Sequence, residues 1–227
     1  CSFAGIQSVM QEDTKVRFMP MAMGGGIRTT EDAAELIRTG ADKVVINDRG
    51  IAATGTVTRV DLQAMKPVRT ISVGLHPTSV AWDVKRNRLY VANTNQDTVS
   101  VVDTNTDAIV RTIRIQPFST AVAGIAPTAL AFSPDGSRLY VACGGINAIV
   151  VVNPSSGAVE GAIPTAWYPN DIAVSADGQH IAVSALLGSG SGWRDAPGKR
   201  FVHAYRGSIS VIELPDRAQL ASYTTVV

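Results

Sequence analysis

The sequence predicts a mainly β chain: a partial β-propeller of about three to four blades behind an N-terminal βαβ unit. Three observations predict it. A block beginning at a proline recurs at Pro77, Pro127 and Pro169, 50 and then 42 residues apart. A second alternating element recurs in phase with the first. Before residue 50 the grammar is different, with a helical apolar spacing between two short apolar runs.

The N-terminal part is read first. Arg17 to Met23 is short, apolar and extended, and Gly24, Gly25 and Gly26 break it. Thr29 or Thr30 can cap a helix, and Glu31 and Asp32 suit its positive end. Ala33, Leu36 and Ile37 keep helical spacing, and Gly40 is a fitting stop. Asp42 to Asn47 then reads as a buried strand through Val44, Val45 and Ile46. That order is one βαβ unit, whose two strands run parallel. Ala4 to Gln11 is a further helix candidate.

Beyond residue 50 the strands shorten and alternate. His76 to Trp82 is followed by Arg88 to Asn93, Ala126 to Phe132 by Arg138 to Cys143, and Tyr168 to Val174 by His180 to Ser184. The in-phase element is Thr56 to Leu62, Thr98 to Thr104, Ala148 to Pro154 and Ser208 to Leu214. A further strand follows in Val110 to Ile115 and Val159 to Ile163. Asp135-Gly136 and Asp177-Gly178 supply tight hairpin turns. A single small sheet cannot hide two apolar faces, so neighbours must cover them. The expected domains are therefore 1–49 and 50–227.

Totals exclude several classes. The 227 residues are 45% hydrophobic and 17% charged, which suits a packed core and argues against disorder. A net charge of +1 forces no basic face, so no nucleic-acid partner is expected. No run of about 18 apolar residues occurs, so no membrane span is expected. Two cysteines, Cys1 and Cys143, make neither a disulfide framework nor a four-thiolate zinc site. A first residue other than Met suggests that the natural N-terminus lies upstream.

Candidate sites are few. Gly24, Gly25 and Gly26 could be a phosphate cradle, because glycines let backbone N–H groups approach an anion closely. The competing reading is an inert loop. The Ser-Gly run from Gly188 to Gly192 reads as an inserted loop, with Trp193, Arg194, Phe201, His203 and Tyr205 either contacting a partner or simply exposed. Gly198-Lys199-Arg200 fails as a phosphate loop, since neither Ser nor Thr follows the lysine. His76, His180 and His203 lack spaced partners, so no metal site is expected. Asp61, Asp103 and Asn153 recur at strand ends, which favours turn chemistry over catalysis. Ser133 and Ser175 precede hairpin turns in the same way, and Cys143 reads as a buried thiol.

Two resemblances extend this reading. Arg88-Leu89-Tyr90-Val91-Ala92-Asn93, with Val99-Ser100-Val101-Val102-Asp103-Thr104 after it, resembles the YVTN family of β-propellers. Phe201 to Ile212, with Leu214-Pro215-Asp216, Gln219-Leu220 and Tyr223-Thr224, is similar to proteins that join such a propeller to an alkaline-phosphatase-like phosphoesterase. That likeness implies a scaffold whose metal-bearing hydrolase domain lies beyond Val227. Met19-Pro20-Met21-Ala22-Met23-Gly24-Gly25-Gly26-Ile27-Arg28-Thr29, with Glu31-Asp32 and Gly40 to Asn47, resembles the cyclase subunit of imidazole glycerol phosphate synthase. This resemblance implies a fragment of a (β/α)8 TIM barrel, in which the glycine loop and Asn47 hold a substrate phosphate. Asp48 departs from the family's small hydroxyl residue and opposes an anion. The family's catalytic aspartates lie outside the matched segment.

The chain thus reads as two pieces joined near residues 48–55. The leading expectation is a non-catalytic propeller scaffold or interaction module with no catalytic residue and no cofactor. Its partner would be another protein or the phosphoesterase domain. The alternative is phosphosugar binding, or cyclase-like lyase chemistry, through the N-terminal segment. Self-association is expected from uncovered sheet faces and edges. A propeller-led reading implies a periplasmic or secreted protein, and a cyclase-led one a cytoplasmic protein.

Overall fold

The computed structural model describes residues 22–24, 43–45, 55–188 and 207–227. The expected helices over 4–11 and 29–40 lie outside these. The chain divides into two compact units, Cys1–Thr78 and Ser79–Val227.

In the first unit, β1 (Ala22–Gly24) pairs with β2 (Lys43–Val45). The pairing is parallel, with Ala22 opposite Lys43 and Gly24 opposite Val45. This is the strand direction that a βαβ order implies. A separate antiparallel hairpin joins β3 (Thr56–Asp61) to β4 (Lys66–Ser72). Its turn is held by the Asp61 carboxylate, which accepts the N–H groups of Gln63 and Ala64 at 2.8 and 2.9 Å.

The second unit holds three antiparallel sheets. The first contains β5 (Pro77–Asp83), β6 (Arg88–Asn93), β7 (Thr98–Asp103) and β8 (Ala108–Arg114), in chain order. The second contains β9 (Pro127–Phe132), β10 (Leu139–Cys143), β11 (Ala148–Val152) and β12 (Val159–Pro164). The third contains only β13 (Trp167–Val174), β14 (His180–Gly188) and β15 (Ser208–Glu213). The strands fall within a few residues of those expected, because alternation and turn residues are both local signals.

The turns follow the side-chain logic read from the sequence. Asp103 accepts the N–H groups of Asn105 and Thr106, and Asn153 those of Ser155 and Ser156. These are Asx turns, so the recurrence of Asp61, Asp103 and Asn153 is structural. Gly136 and Gly178 sit at φ 68° and 69°, the left-handed positions that Asp-Gly hairpins need.

The architecture requires a correction. The described residues form small separate sheets, no barrel closes among them, and no propeller is evident. The physical reason is that repeated strands and hairpins specify each sheet locally. Closure of a ring depends on the angle between successive sheets, which no turn residue encodes.

Within the second unit the sheets share two apolar layers. Tyr90, Val99, Val101 and Ile113 of the first sheet cluster with Leu130, Leu139, Val141 and Val150 of the second. Tyr140, Ile149 and Val151 of the second cluster with Ile172, Ile181 and Val183 of the third. Side chains alternate along a strand, so each sheet feeds a layer on either face. Each fully buried aliphatic side chain contributes about 1.5–3 kcal/mol. Tyr90 also meets Phe132 edge-on, with centroids 5.2 Å apart, and its hydroxyl donates to the Pro154 carbonyl at 3.0 Å.

One element was not expected. Helix α1 (Arg217–Thr224) starts at a capping box, in which the Asp216 carboxylate accepts the Gln219 N–H and the Gln219 side chain accepts the Asp216 N–H. Leu220 is buried in the second layer, and the Thr224 hydroxyl accepts the Ala162 N–H of β12 at 2.9 Å.

Two substitutions test this packing. A Cβ at Gly145 would lie 1.7 Å from the Gly124 carbonyl oxygen, so Gly145→Ala should cost about 1–3 kcal/mol or more. Leu220→Ala should cost about 2–5 kcal/mol by leaving a cavity under α1. Urea unfolding midpoints check both.

Candidate functional site

Two places bring chemistry-bearing residues together, one in each unit. In the first, the parallel register of β1 and β2 places Gly24 beside Val45 at the same, C-terminal, edge. Gly25 and Gly26 follow Gly24 directly, and Asn47 is two residues after Val45. In α/β folds with parallel strands, ligands bind at the carboxyl ends of the strands. Gly24 ends β1, while Gly25, Gly26 and Asn47 lie outside the described residues. Trp193, Arg194, Phe201, His203 and Tyr205 lie outside them as well.

The second place is an open polar groove of about 380 Å³ in the Ser79–Val227 unit. Ser133, Asp135, Ser137, Arg138, Tyr140 and Asp177 line it. The sequence assigns Ser133 and Asp135 to a turn, and the structure agrees. The Ser133 hydroxyl donates to Asp135 Oδ1 at 2.6 Å and accepts the Arg138 N–H at 2.9 Å. The Ser137 N–H and hydroxyl also donate to Asp135 Oδ1. Ser175, Asp177 and His180 repeat the arrangement. What sequence reading missed is that the two turns converge on one groove, since no spacing rule relates them.

Electrostatics decides what this groove can do. The Ser133 hydroxyl, then the Ser137 donors, hold Asp135 well below the usual carboxylate range. The Ser175 hydroxyl, then the Gln179 N–H, lowers Asp177 as well. Arg138 lies 3.4 Å from Glu160. Burial raises the Tyr140 phenol further above neutrality. General acid–base catalysis needs a group that titrates near the working pH. Hydrogen bonding favours the ionised form of both groove carboxylates, the reverse of what a general acid near neutrality requires.

The remaining candidates resolve simply. Cys143 is fully buried, and loss of hydration pushes its thiol far above its ordinary value, so it is an unreactive core residue. His180 begins β14 and is exposed. Among the described residues no three His, Cys, Asp or Glu side chains cluster to hold a metal ion. No described helix is long and apolar enough to cross a membrane.

Comparison with known proteins bears on the first place. The family model for "Histidine biosynthesis protein" matches residues 5–112, slightly under half of the chain. Imidazole glycerol phosphate synthase subunit HisF of Mycobacterium bovis is 33% identical over 88 residues, covering 36% of this chain and 33% of that protein. The same subunit of Leuconostoc mesenteroides is 42% identical over 53 residues, covering 23% and 21%. The chain therefore spans about a third or less of the curated relatives it matches. Among solved structures, Kuenenia stuttgartiensis hydrazine synthase is similar with a TM-score of 0.56 and 27% identity. That likeness covers 70% of this chain and 40% of the other, and its fold is not the cyclase barrel.

These findings support a cyclase-like segment, as the N-terminal motifs imply. They correct the expectation of a non-catalytic propeller scaffold, because the matching family is one of histidine biosynthesis. The match also runs past residue 49 into β8, over strands that the repeat reading gave wholly to a propeller. Neither a YVTN propeller nor a phosphoesterase link is shown.

The fixed charge of the groove is testable. Depressed carboxyl groups contribute stability that is fully present above the unfolded value, about pH 3.9. That contribution is lost as pH falls through the folded values. Carboxyl ¹³C shifts should therefore show Asp135 and Asp177 still ionised at about pH 3.9, where an unperturbed Asp is half protonated. Ser133→Ala should move the Asp135 titration back toward that value.

Proposed function

We propose that the N-terminal segment binds the phosphate group of a small phosphosugar, at the C-terminal edge of the β1–β2 pair. The observation that carries this reading is the parallel register that sets Gly24 beside Val45. Gly25 and Gly26 follow Gly24 in the sequence, and Asn47 follows Val45 by two residues. Similarity to the synthase subunit supports the same ligand class, since the name of that enzyme specifies a phosphate ester.

The chemistry suits the residues. Three successive glycines carry no Cβ, so their N–H groups can close on phosphate oxygens. Asn47 adds an uncharged amide donor. Asp48 works against the site, because a carboxylate repels an anion. Cyclase-type lyase chemistry is the fuller form of this proposal. It needs catalytic groups beyond the segment, and we assign no catalytic residue.

Binding is measured on the full chain by ³¹P NMR with inorganic phosphate and with ribose 5-phosphate. Saturable binding is expected, with the sugar phosphate tighter. Asn47→Asp should weaken it at least about tenfold, through a lost donor and an added charge. Asp48→Ser should strengthen it. An Asn47→Asp protein that binds like the parent would overturn the assignment.

A further inference from the structure

The hairpin turns that open the three sheets of the Ser79–Val227 unit lie one against the next. They join β5 to β6, β9 to β10 and β13 to β14. The recurrence of 50 and then 42 residues makes Arg86, Gly136 and Gly178 equivalent positions. A Cβ on Gly136 would lie 3.7 Å from Lys85 Cδ, and one on Gly178 would lie 3.4 Å from Pro134 Cδ. The first turn therefore sits against the second, and the second against the third.

The contact between the first two turns shows what such a seam receives. The Arg86 guanidinium crosses it, donating to Asp83 Oδ2 at 2.7 Å, to the Gly136 carbonyl at 3.2 Å and to the Ser155 hydroxyl at 2.8 Å. The receiving turn is repeated in the third sheet. The Gly136 N–H donates to the Ser133 carbonyl and the Gly178 N–H to the Ser175 carbonyl, with φ 68° and 69°. The cation is not repeated, because a glycine stands where Arg86 would be. The second seam is instead the groove of about 380 Å³, lined in part by Asp135, Asp177 and Gly178.

The groove presents acceptors. The Ser133 and Ser137 hydroxyls donate to Asp135 and the Ser175 hydroxyl to Asp177, so the hydroxyl hydrogens of both turns are spent. The bonds that the two carboxylates receive from neighbouring residues fall on Oδ1, which leaves Oδ2 of each to accept from a ligand. Of the nearby cations, Arg138 is paired with Glu160, Lys85 donates to the Asp135 carbonyl, and His180 is exposed next to Asp177. A planar guanidinium has five N–H donors and no acceptor, the complement of such a surface.

We propose that this groove binds the guanidinium group of an arginine side chain carried by a polypeptide segment, held by the Asp135 and Asp177 carboxylates and the Gly178 carbonyl. The polypeptide source follows from the first seam, where the same group arrives on a hairpin turn. The groove lies at the His180 end of β14, the opposite end from Gly188. This inference does not rest on phosphate binding.

Amide ¹⁵N shifts of the full chain test it, in a titration with N-acetyl-arginine N-methylamide up to roughly 50 mM at one ionic strength. Saturable shifts are expected at Asp135, Asp177 and Gly178. The matching citrulline amide, a neutral urea of the same shape, should bind at least about tenfold more weakly, and the lysine amide at least about threefold. Asp135→Asn and Asp177→Asn keep an acceptor for their turns and remove a charge, so each should weaken binding at least about fivefold. Asp103→Asn, in a turn of the first sheet, should leave it unchanged. Free L-arginine should bind no more tightly than the blocked amide. No saturable shift, equal binding of the citrulline amide, unaltered binding in both groove variants, or tighter binding of free arginine would each overturn the proposal.

Discussion

The second unit depends on a side-chain clamp that ties each sheet to the next. Asp97, in a left-handed conformation after β6, accepts the N–H groups of Gly124 and Ala126 at 2.8 and 2.9 Å. Asn147, left-handed after β10, accepts the N–H of Tyr168 at 2.9 Å. Ala126 and Tyr168 are themselves left-handed, and each precedes a proline. Such a backbone is costly for a residue with a Cβ. The clamp holds it in place and so sets where the following strand enters. Thr94 and Thr128 reinforce the link by donating to the carbonyls of Pro127 and Pro169, each on the following sheet.

With strand entry set, the apolar layers follow. Alternating residues of one sheet meet alternating residues of the next, and some of the polar side chains that enter are bonded there. The Asn93 amide, for example, donates to the hydroxyls of Thr98 and Ser100. In the third sheet Ile172, Ile181 and Val183 are buried, while Ile209 and Val211 on the other face have no cover among the described residues. Helix α1 does not fill that gap, since it docks on β12 of the second sheet through Leu220 and Thr224. The same alternation that builds a core therefore also sets Ile209 and Val211 at the surface.

The first unit obeys a different rule. Its β1–β2 pair is parallel, and in folds with parallel strands ligands bind at the carboxyl ends of the strands. Antiparallel hairpins alternate direction, and their turns are mostly absorbed in holding themselves together. The Ser133 and Ser175 turns illustrate this, with their hydroxyls and carboxylates satisfied by one another. The proposed phosphate site is therefore assigned to the glycine run and not to the more conspicuous polar groove.

Much of this was legible in the sequence. Strand positions, the parallel pairing of β1 and β2, the Asx turns at Asp61, Asp103 and Asn153, and burial of Cys143 are local consequences of residue type and period. Helix α1 left a readable signal in Asp216 and Gln219, three residues apart, but its docking site on β12 did not. Tertiary structure alone decided that the sheets stay separate, that two remote turns share a groove, and that Ile209 and Val211 face outward while Val99, Val101, Ile149 and Val151 do not. The reason is physical: hydrogen bonds and side-chain alternation act between near neighbours and repeat with the sequence. Cover and closure depend on which other surface arrives, and identical strands can be buried or bare according to that alone.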